Sequence, residues 1–398
     1  MSTRKRVLVL TSTFPRWQGD HEPPFVFELS RRLSEPFDVV VLAPHAPGAK
    51  RFENMGNLEV HRFRYFFTPW QSLAYHGGIM ANLKQNRLRY LLVPFFLLSE
   101  LVSLIGLLRK YRVDVIHAHW LIPNGLVAIV ARALDTGEKP DIVCTSHGTD
   151  LFGLTGFVFR WLQKQVILEA SRLTVVSAAL RAHAISLASR GDVEVIPMGV
   201  DLAVTFTPPV ASERSSTALL FVGRLVEKKG VQYLIMAMPE ILKKHPQAML
   251  AIAGDGPERE SLRRQAAVLG VGKHVRFHGA LENAALRELY GNAAIFVSPS
   301  LAEGFGLALV EASGCGCPVI TTDLAAIRDI VIDGVTGLIC RRADSADLAA
   351  KICFLLEHPE LRESMGHAGR QHVQERFDWG TISRQYAALF DGLVRERP

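Results

Sequence analysis

The chain has 398 residues, 48% hydrophobic and 21% charged, an ordinary soluble globular balance with enough apolar material for two cores. Its formal net charge of +6 is a small excess spread along the chain. That argues against nucleic acid as a partner and fits an anionic small ligand or an anionic membrane face. The five cysteines (Cys144, Cys315, Cys317, Cys340, Cys353) are odd in number and include no C-x-x-C pair. They exclude a disulfide framework and a cysteine zinc site, and are expected to be reduced, buried thiols of a cytosolic protein.

The amino terminus places basic residues before Val7-Leu8-Val9-Leu10, which gives way at once to Thr11-Ser12-Thr13-Phe14-Pro15. The run is too short for a signal-peptide core and is read as a first buried strand, Arg6–Leu10. The loop leaving it, Thr13 to Asp20, carries Gly19, where backbone can approach a ligand closely, and Asp20, suited to receiving a proton or orienting a hydroxyl. Further strands are expected at Phe37–Leu42, Leu58–Phe63, Val113–His117, Ile142–Thr145, Leu173–Val176 and Val193–Ile196, with helical patterns between them. The segment Leu88–Leu108 is almost wholly apolar and nearly long enough to span a bilayer. Glu100, Pro94 and the flanking Arg87, Arg89, Arg109 and Lys110 argue against spanning. A helix covering the first sheet is expected, with peripheral contact of its apolar face with a membrane surface as the sharper reading.

Two strand ends carry histidines. His117-Ala118-His119-Trp120 closes one, and Ser146-His147-Gly148-Thr149-Asp150 follows the next. Three histidines and an aspartate invite a metal, but no metal-ligand spacing is kept, so no metal is expected. His147 is read as a hydrogen-bond partner of a transferred group. Met198-Gly199-Val200-Asp201 lies where the chain would cross between domains, and the polar, proline-containing residues 201–217 read as a linker.

The second half repeats the strand–helix alternation, with strands expected at Ala218–Val222, Ala248–Ala253, Val275–His278, Ala294–Val297, Pro318–Thr321 and Thr336–Cys340. So many parallel strands exceed one ordinary sheet, which implies two doubly wound α/β domains. The expected division is 1–200, a linker at 201–217, 218–376, and a closing helical segment 377–398 that packs back on the first domain. Ligands of such sheets bind at the carboxyl ends of strands. There Gly223 permits a tight turn, and Arg224 and Lys229 form a fork-and-point clamp suited to a diphosphate. Gly254-Asp255-Gly256 is a second glycine turn, read equally as a wall beside a base or as a structural turn. Glu303-Gly304-Phe305-Gly306-Leu307 connects a strand to a helix containing Glu311, with seven residues between the two acids. A helix start suits phosphate, whereas two acids suit hydroxyls. Together they describe a nucleotide sugar.

These motifs together resemble the retaining glycosyltransferases of family 4, whose architecture of two Rossmann-like domains facing a central cleft is called GT-B. The resemblance spans nearly the whole chain. It implies that Arg224 and Lys229 hold the donor diphosphate and Glu311 the ribose, with Gly19, Gly223, Gly304, Phe305, Gly306 and Leu307 also in the donor-binding set. It further implies that Glu303 holds sugar hydroxyls and that His147 sits near the sugar at the reacting carbon; these two and Asp20 are the candidate catalytic residues. The implied reaction is retaining and needs no metal or cofactor beyond the UDP- or GDP-sugar co-substrate. Its acceptor would be a glycan or lipid-linked saccharide, as in surface polysaccharide biosynthesis, in the cytoplasm or on the inner membrane face. Two departures stand out: Thr322-Asp323-Leu324-Ala325 lacks the usual glycine turn, and residues 21–24 replace a second glycine after Gly19. A sugar-nucleotide epimerase and a non-catalytic scaffold of the same fold are the alternatives; the acid spacing with Arg224 and Lys229 disfavours the first, and the presence of His147, Arg224, Lys229, Glu303 and Glu311 disfavours the second.

Overall fold

A computed structural model describes residues 4–20, 25–75, 77–208 and 214–395. The departure at residues 21–24 and the linker residues 209–213 fall outside this set. The chain forms two compact units, Met1–Pro197 with Ile382–Pro398, and Met198–Thr381.

The first unit contains an eight-stranded sheet: β1 (Arg6–Leu10), β2 (Asp38–Pro44), β3 (Phe52–Met55), β4 (Leu58–Phe63), β5 (Val115–His119), β6 (Asp141–Ser146), β7 (Arg172–Val175) and β8 (Val193–Val195). The order is β3-β4-β2-β1-β5-β6-β7-β8. Every pair is parallel except β3 with β4. Val7 to Leu10 and Val39 to Leu42 are buried on both faces, which is why these strands read as unbroken apolar runs. β3 has no such run. It is an edge strand with a single buried residue, Met55, so apolar patterning does not announce it.

The second unit contains β9 (Ala218–Val222), β10 (Met249–Ala253), β11 (Val275–Gly279), β12 (Ile295–Ser298), β13 (Val319–Thr322) and β14 (Gly337–Cys340), in the order β11-β10-β9-β12-β13-β14, all parallel. Its core joins Leu219, Phe221, Ile252, Ile295, Val297 and Ile320 to Leu234, Met238 and Ile241 of the helix Val231–Lys244.

Strand order dictates where a ligand can enter. In each sheet the winding direction reverses beside the first strand, between β1 and β5 and between β9 and β12. At such a switch point the loops after the two strands diverge and leave a crevice at the carboxyl edge. The loops after β1 and β5 carry Asp20 and Trp120; those after β9 and β12 carry Arg224 and Glu303.

Within the second unit, Val200 N–H donates to Phe377 O and Trp379 N–H donates to Val200 O. A Cβ on Gly199 would lie 2.2 Å from the Trp379 ring, so only glycine fits there. The final helix, Trp379–Arg395, returns the chain to the first unit. There Phe390 meets Phe37 at 5.7 Å between ring centroids, and the Tyr386 hydroxyl lies 3.2 Å from Thr145 Oγ1.

The apolar segment forms a 3-10 turn, Arg87–Leu92, continuing into the helix Val93–Lys110. By length and composition it is long enough to cross a membrane. Its face of Phe96, Glu100, Leu104 and Leu107 is buried, and the helix packs against β2, β4 and the helix Leu126–Leu134. The expected covering helix is therefore only half covered; its other face is exposed.

Candidate active site

In the second unit, the loops after β9 and β12 are built against each other. Gly230 has φ of +69°, and a Cβ there would lie 1.9 Å from Pro299 O. Leu301 N–H donates to Lys228 O at 2.7 Å, locking the two loops in register. The result places Lys229 Nζ 2.5 Å from Glu303 Oε1, the same oxygen that accepts a hydrogen bond from Ser300 Oγ at 2.8 Å. The Glu303 side chain is 9% exposed, so this pair is little screened by water. The sequence-derived clamp is thus divided. Lys229 is braced by an acid, whereas Arg224 is exposed and makes no side-chain hydrogen bond or ion pair among the described residues.

The Gly254-Asp255-Gly256 turn acts as a support. Gly223 N–H donates to Ala253 O, Leu225 N–H to Asp255 O, and Glu258 N–H to Leu225 O. A Cβ on Gly254 would sit 1.9 Å from Gly223 O, so this turn holds the Gly223–Leu225 backbone from beneath.

Beyond Glu303, Gly304 and Gly306 flank Phe305, which is buried edge-on against Phe377 at 5.7 Å. Phe305 therefore anchors the loop, and what the segment Gly304 to Leu307 offers a ligand is backbone. The helix Leu307–Gly314 begins there with Gly306 at φ +108°, and no side chain caps its first amides. Glu311 sits on this helix and accepts a hydrogen bond at 2.8 Å from the Tyr290 hydroxyl. Burial pushes its carboxyl up to about 7, against the opposing pull of Tyr290. Glu303 and Glu311 thus lie in different settings, one ion-paired and one held by a phenol.

In the first unit, His119 Nδ1 and His147 Nε2 lie 3.0 Å apart, and His117 Nε2 lies 2.8 Å from Thr145 Oγ1. Burial drives His117 and His147 down to about 3 and His119 well below its ordinary value, so all three are neutral at physiological pH. His147 is enclosed by Phe25 and Trp120, at centroid distances of 4.9 and 5.0 Å. Its Nδ1 is buried and has no hydrogen-bond partner among the described residues, an open valence for a ligand group. Trp120 itself is held at φ +71°, a costly conformation for a bulky side chain.

Two other candidates change role. Asp150 accepts from Leu121 N–H, Ser146 Oγ and Gly148 N–H, so it ties two strand-end turns together and is not grouped with the histidines. The sequence suits Asp20 to receiving a proton or orienting a hydroxyl. Its side chain is 1% exposed and is gripped by Arg16 through the backbone N–H, Nε and Nη2 at 2.7–2.8 Å. Those charge-assisted bonds occupy the carboxylate, so Asp20 shapes the loop. Gly19, at φ +82° with open space about it, remains at its exposed tip.

Comparison with known proteins agrees with this layout. Residues 24–204 match the family described as Glycosyltransferase Family 4, and residues 208–372 match Glycosyl transferases group 1. A glycogen synthase of Mycobacterium tuberculosis is 33% identical over 299 residues, covering 72% of this chain and 70% of its own length. The chain belongs to glycosyltransferase family 4. A phosphatidyl-myo-inositol mannosyltransferase of Mycobacterium leprae is 33% identical over 290 residues, 71% of this chain and 74% of that one. The solved structure of Anabaena HepE in complex with UDP and glucose superposes with a TM-score of 0.71 at 18% identity, covering 98% of this chain and 100% of that one. The likeness shows that this glycosyltransferase has the two-domain GT-B fold.

Sequence reasoning passed over three residues of this glycosyltransferase: Tyr290 under Glu311, Arg16 around Asp20, and Ser300 as a second partner of Glu303. Tyr290 closes an ordinary helical pattern, Asn283–Asn292, and carries no local signal. Arg16 and Ser300 lie four and three residues from the acids they serve, a spacing that could have disclosed both. A cavity of about 450 Å³, lined by Arg214, Arg362 and Arg370 among others, lies away from the carboxyl edge. Its arginines donate to main-chain carbonyls, including Ala293 O before β12 and Gly314 O at the end of its helix.

Proposed function

We propose that this glycosyltransferase moves a sugar from a UDP- or GDP-sugar to a hydroxyl of a glycan or lipid-linked saccharide, with retention of anomeric configuration and without a metal. The observation that carries this reading is the Lys229–Glu303–Ser300 assembly beside a free Arg224 and an uncapped helix start, all at one switch point. Phosphate is served by the two cations and the amides, hydroxyls by the acids. The UDP complex of the HepE neighbour supports a nucleotide-sugar donor.

In the proposed reaction the bond between the anomeric carbon and the diphosphate oxygen breaks. Arg224, Lys229 and the helix amides meet the negative charge that accumulates on the leaving phosphate. The acceptor oxygen bonds to the anomeric carbon on the face just vacated, and its proton passes to an oxygen of the departing diphosphate. The products are the glycoside and a protonated nucleoside diphosphate, so atoms and charge balance. Glu311 holds the ribose hydroxyls, and Glu303, fixed by Lys229 and Ser300, holds the sugar. His147, neutral and with Nδ1 open, contacts the transferred sugar near the reacting carbon. Cations and amides that carry the charge of the leaving group leave no task for a metal in this scheme. The free, buried cysteines support a site of action in the cytoplasm or on the inner face of its membrane.

The test is a thermal-shift panel of nucleotide sugars, followed by turnover of the best ligand with saccharide acceptors, with and without EDTA. Stabilisation by one nucleotide sugar, EDTA-insensitive turnover and an axial or equatorial linkage matching the donor are expected. Inverted product, or loss of turnover restored only by divalent metal, would overturn the corresponding part of the scheme.

A further inference from the structure

The exposed side of the helix Val93–Lys110 is ordered. Leu91, Phe95, Leu98 and Val102 follow one another at spacings of four, three and four residues, a single stripe along the helix. Phe96, Glu100, Leu104 and Leu107, the buried set, lie on the opposite face. The stripe continues onto neighbouring chain. Phe95 packs against Phe66, which stacks on Trp70 and meets Phe67 edge-on. Phe67, Trp70, Leu88, Tyr90, Leu91, Leu98 and Val102 are all between 55% and 75% exposed, and Phe95 is 50% exposed. A monomer rarely leaves so many large side chains together in water.

The charge around this surface has one sign. Between Glu59 and Asp114 the only acidic residue is Glu100. It is turned inward, held by Asn124 and pushed up to about 8 by burial, so it presents no negative charge outward. The same stretch exposes Arg64, Lys84, Arg87, Arg109, Lys110 and Arg112. Three of these have acids near them from outside the stretch: Glu138 lies 2.9 Å from Arg112, Asp135 lies 3.9 Å from Arg109, and Glu59 faces Lys110 through Tyr111. The others rim the apolar surface unpaired among the described residues.

We propose that this surface docks the protein on an anionic lipid bilayer, with the helix lying in the plane of the interface. Apolar anchors flanked by arginines and lysines, with Trp and Tyr at the margin, fit the boundary between acyl chains and acidic headgroups. A protein partner would have to bring a matching acidic apolar face, whereas an acidic membrane supplies both features at once. Spanning is incompatible with the fold, because Phe96 and Leu104 are buried in the first unit.

The docking surface adjoins the site loop of the first unit. β4 runs parallel to β2, so Arg64 to Trp70 leave the same carboxyl edge as the loop after β1. Arg62 donates to Pro15 O at 2.9 Å, Tyr75 donates to Pro44 O at 2.5 Å, and the Arg16 guanidinium lies 5.7 Å from the Tyr75 ring. Docking therefore sets this edge beside the headgroups. If the transferase reading above holds, the acceptor is a saccharide carried on lipid.

Sedimentation with vesicles tests docking independently of chemistry. The full chain should bind vesicles containing acidic phospholipid, bind zwitterionic vesicles more weakly, and be released by high salt. The double substitution Leu91→Asp/Leu98→Asp, at exposed positions that leave the fold undisturbed, should lower vesicle binding at least about tenfold. Binding of the nucleotide sugar should be unchanged, which separates a failed dock from a failed donor site. Wild-type protein remaining in the supernatant, or a double variant that sediments equally well, overturns the proposal. So does self-association of the wild type that the variant abolishes, without vesicle binding, since the stripe would then join two copies of the chain.

Discussion

Glu311 is held near the middle of the physiological range by burial, and its only side-chain partner among the described residues is a phenol. Because its pKa is raised, the carboxyl is largely protonated below pH 6 and ionised above pH 8. A ribose hydroxyl donates more strongly to the ionised form. Affinity for an intact nucleotide sugar, whose diphosphate does not titrate there, should therefore rise as pH increases from about 6 to 8. Glu311→Gln should flatten the profile, and His147, driven down to about 3, should contribute nothing to it. Calorimetric titration at several pH values checks both; an unchanged slope in the variant would remove Glu311 from the donor site. The placing of Lys229 and Glu303 in strand-end loops was legible in the chain. Their partnership was not, because 74 positions separate them and only the sheet brings them together. Asp20 shows the converse: a carboxylate that looks free in sequence is occupied by an arginine four residues away.

At the scale of elements, the site is a consequence of loop-on-loop contact. The loop after β9 can accept the loop after β12 only because Gly230 has no Cβ. Gly230→Ala should cost about 1–3 kcal/mol from its left-handed backbone alone, with further displacement of Pro299. Chemical denaturation should show the loss, and turnover should fall more than stability explains, since Lys229 and Glu303 shift with the loops. An alanine variant of wild-type stability and rate would mean that the loops are not mutually braced. Strands were readable here because parallel strands buried on both faces are unbroken apolar runs, as in β1 and β9. β3 was not, because an edge strand with one buried residue carries no such run. The helix Val93–Lys110 was recognised as apolar, but only packing distinguishes its covered face from its bare one.

For the whole molecule, the return of the last helix makes the first unit depend on residues at the far end of the chain. Phe390 is fully buried against Phe37 and His117. Phe390→Ala should destabilise by about 3–5 kcal/mol, the usual cost of a deleted core aromatic. The loss should appear in unfolding of the first unit while nucleotide-sugar binding by the second persists, as followed by calorimetry with and without donor. Simultaneous loss of both would show that the two units do not fold separately.

In the proposed reaction Arg224 and Lys229 carry the charge of a departing nucleoside diphosphate. Nucleoside diphosphate release from the preferred nucleotide sugar and acceptor, compared among wild type, Arg224→Ala and Lys229→Ala at equal folded concentration, measures that role. A fall in kcat/KM of about 10²–10³ for each variant, the usual cost of removing one preorganised charge-stabilising group, is predicted. Wild-type turnover by Arg224→Ala would contradict the account.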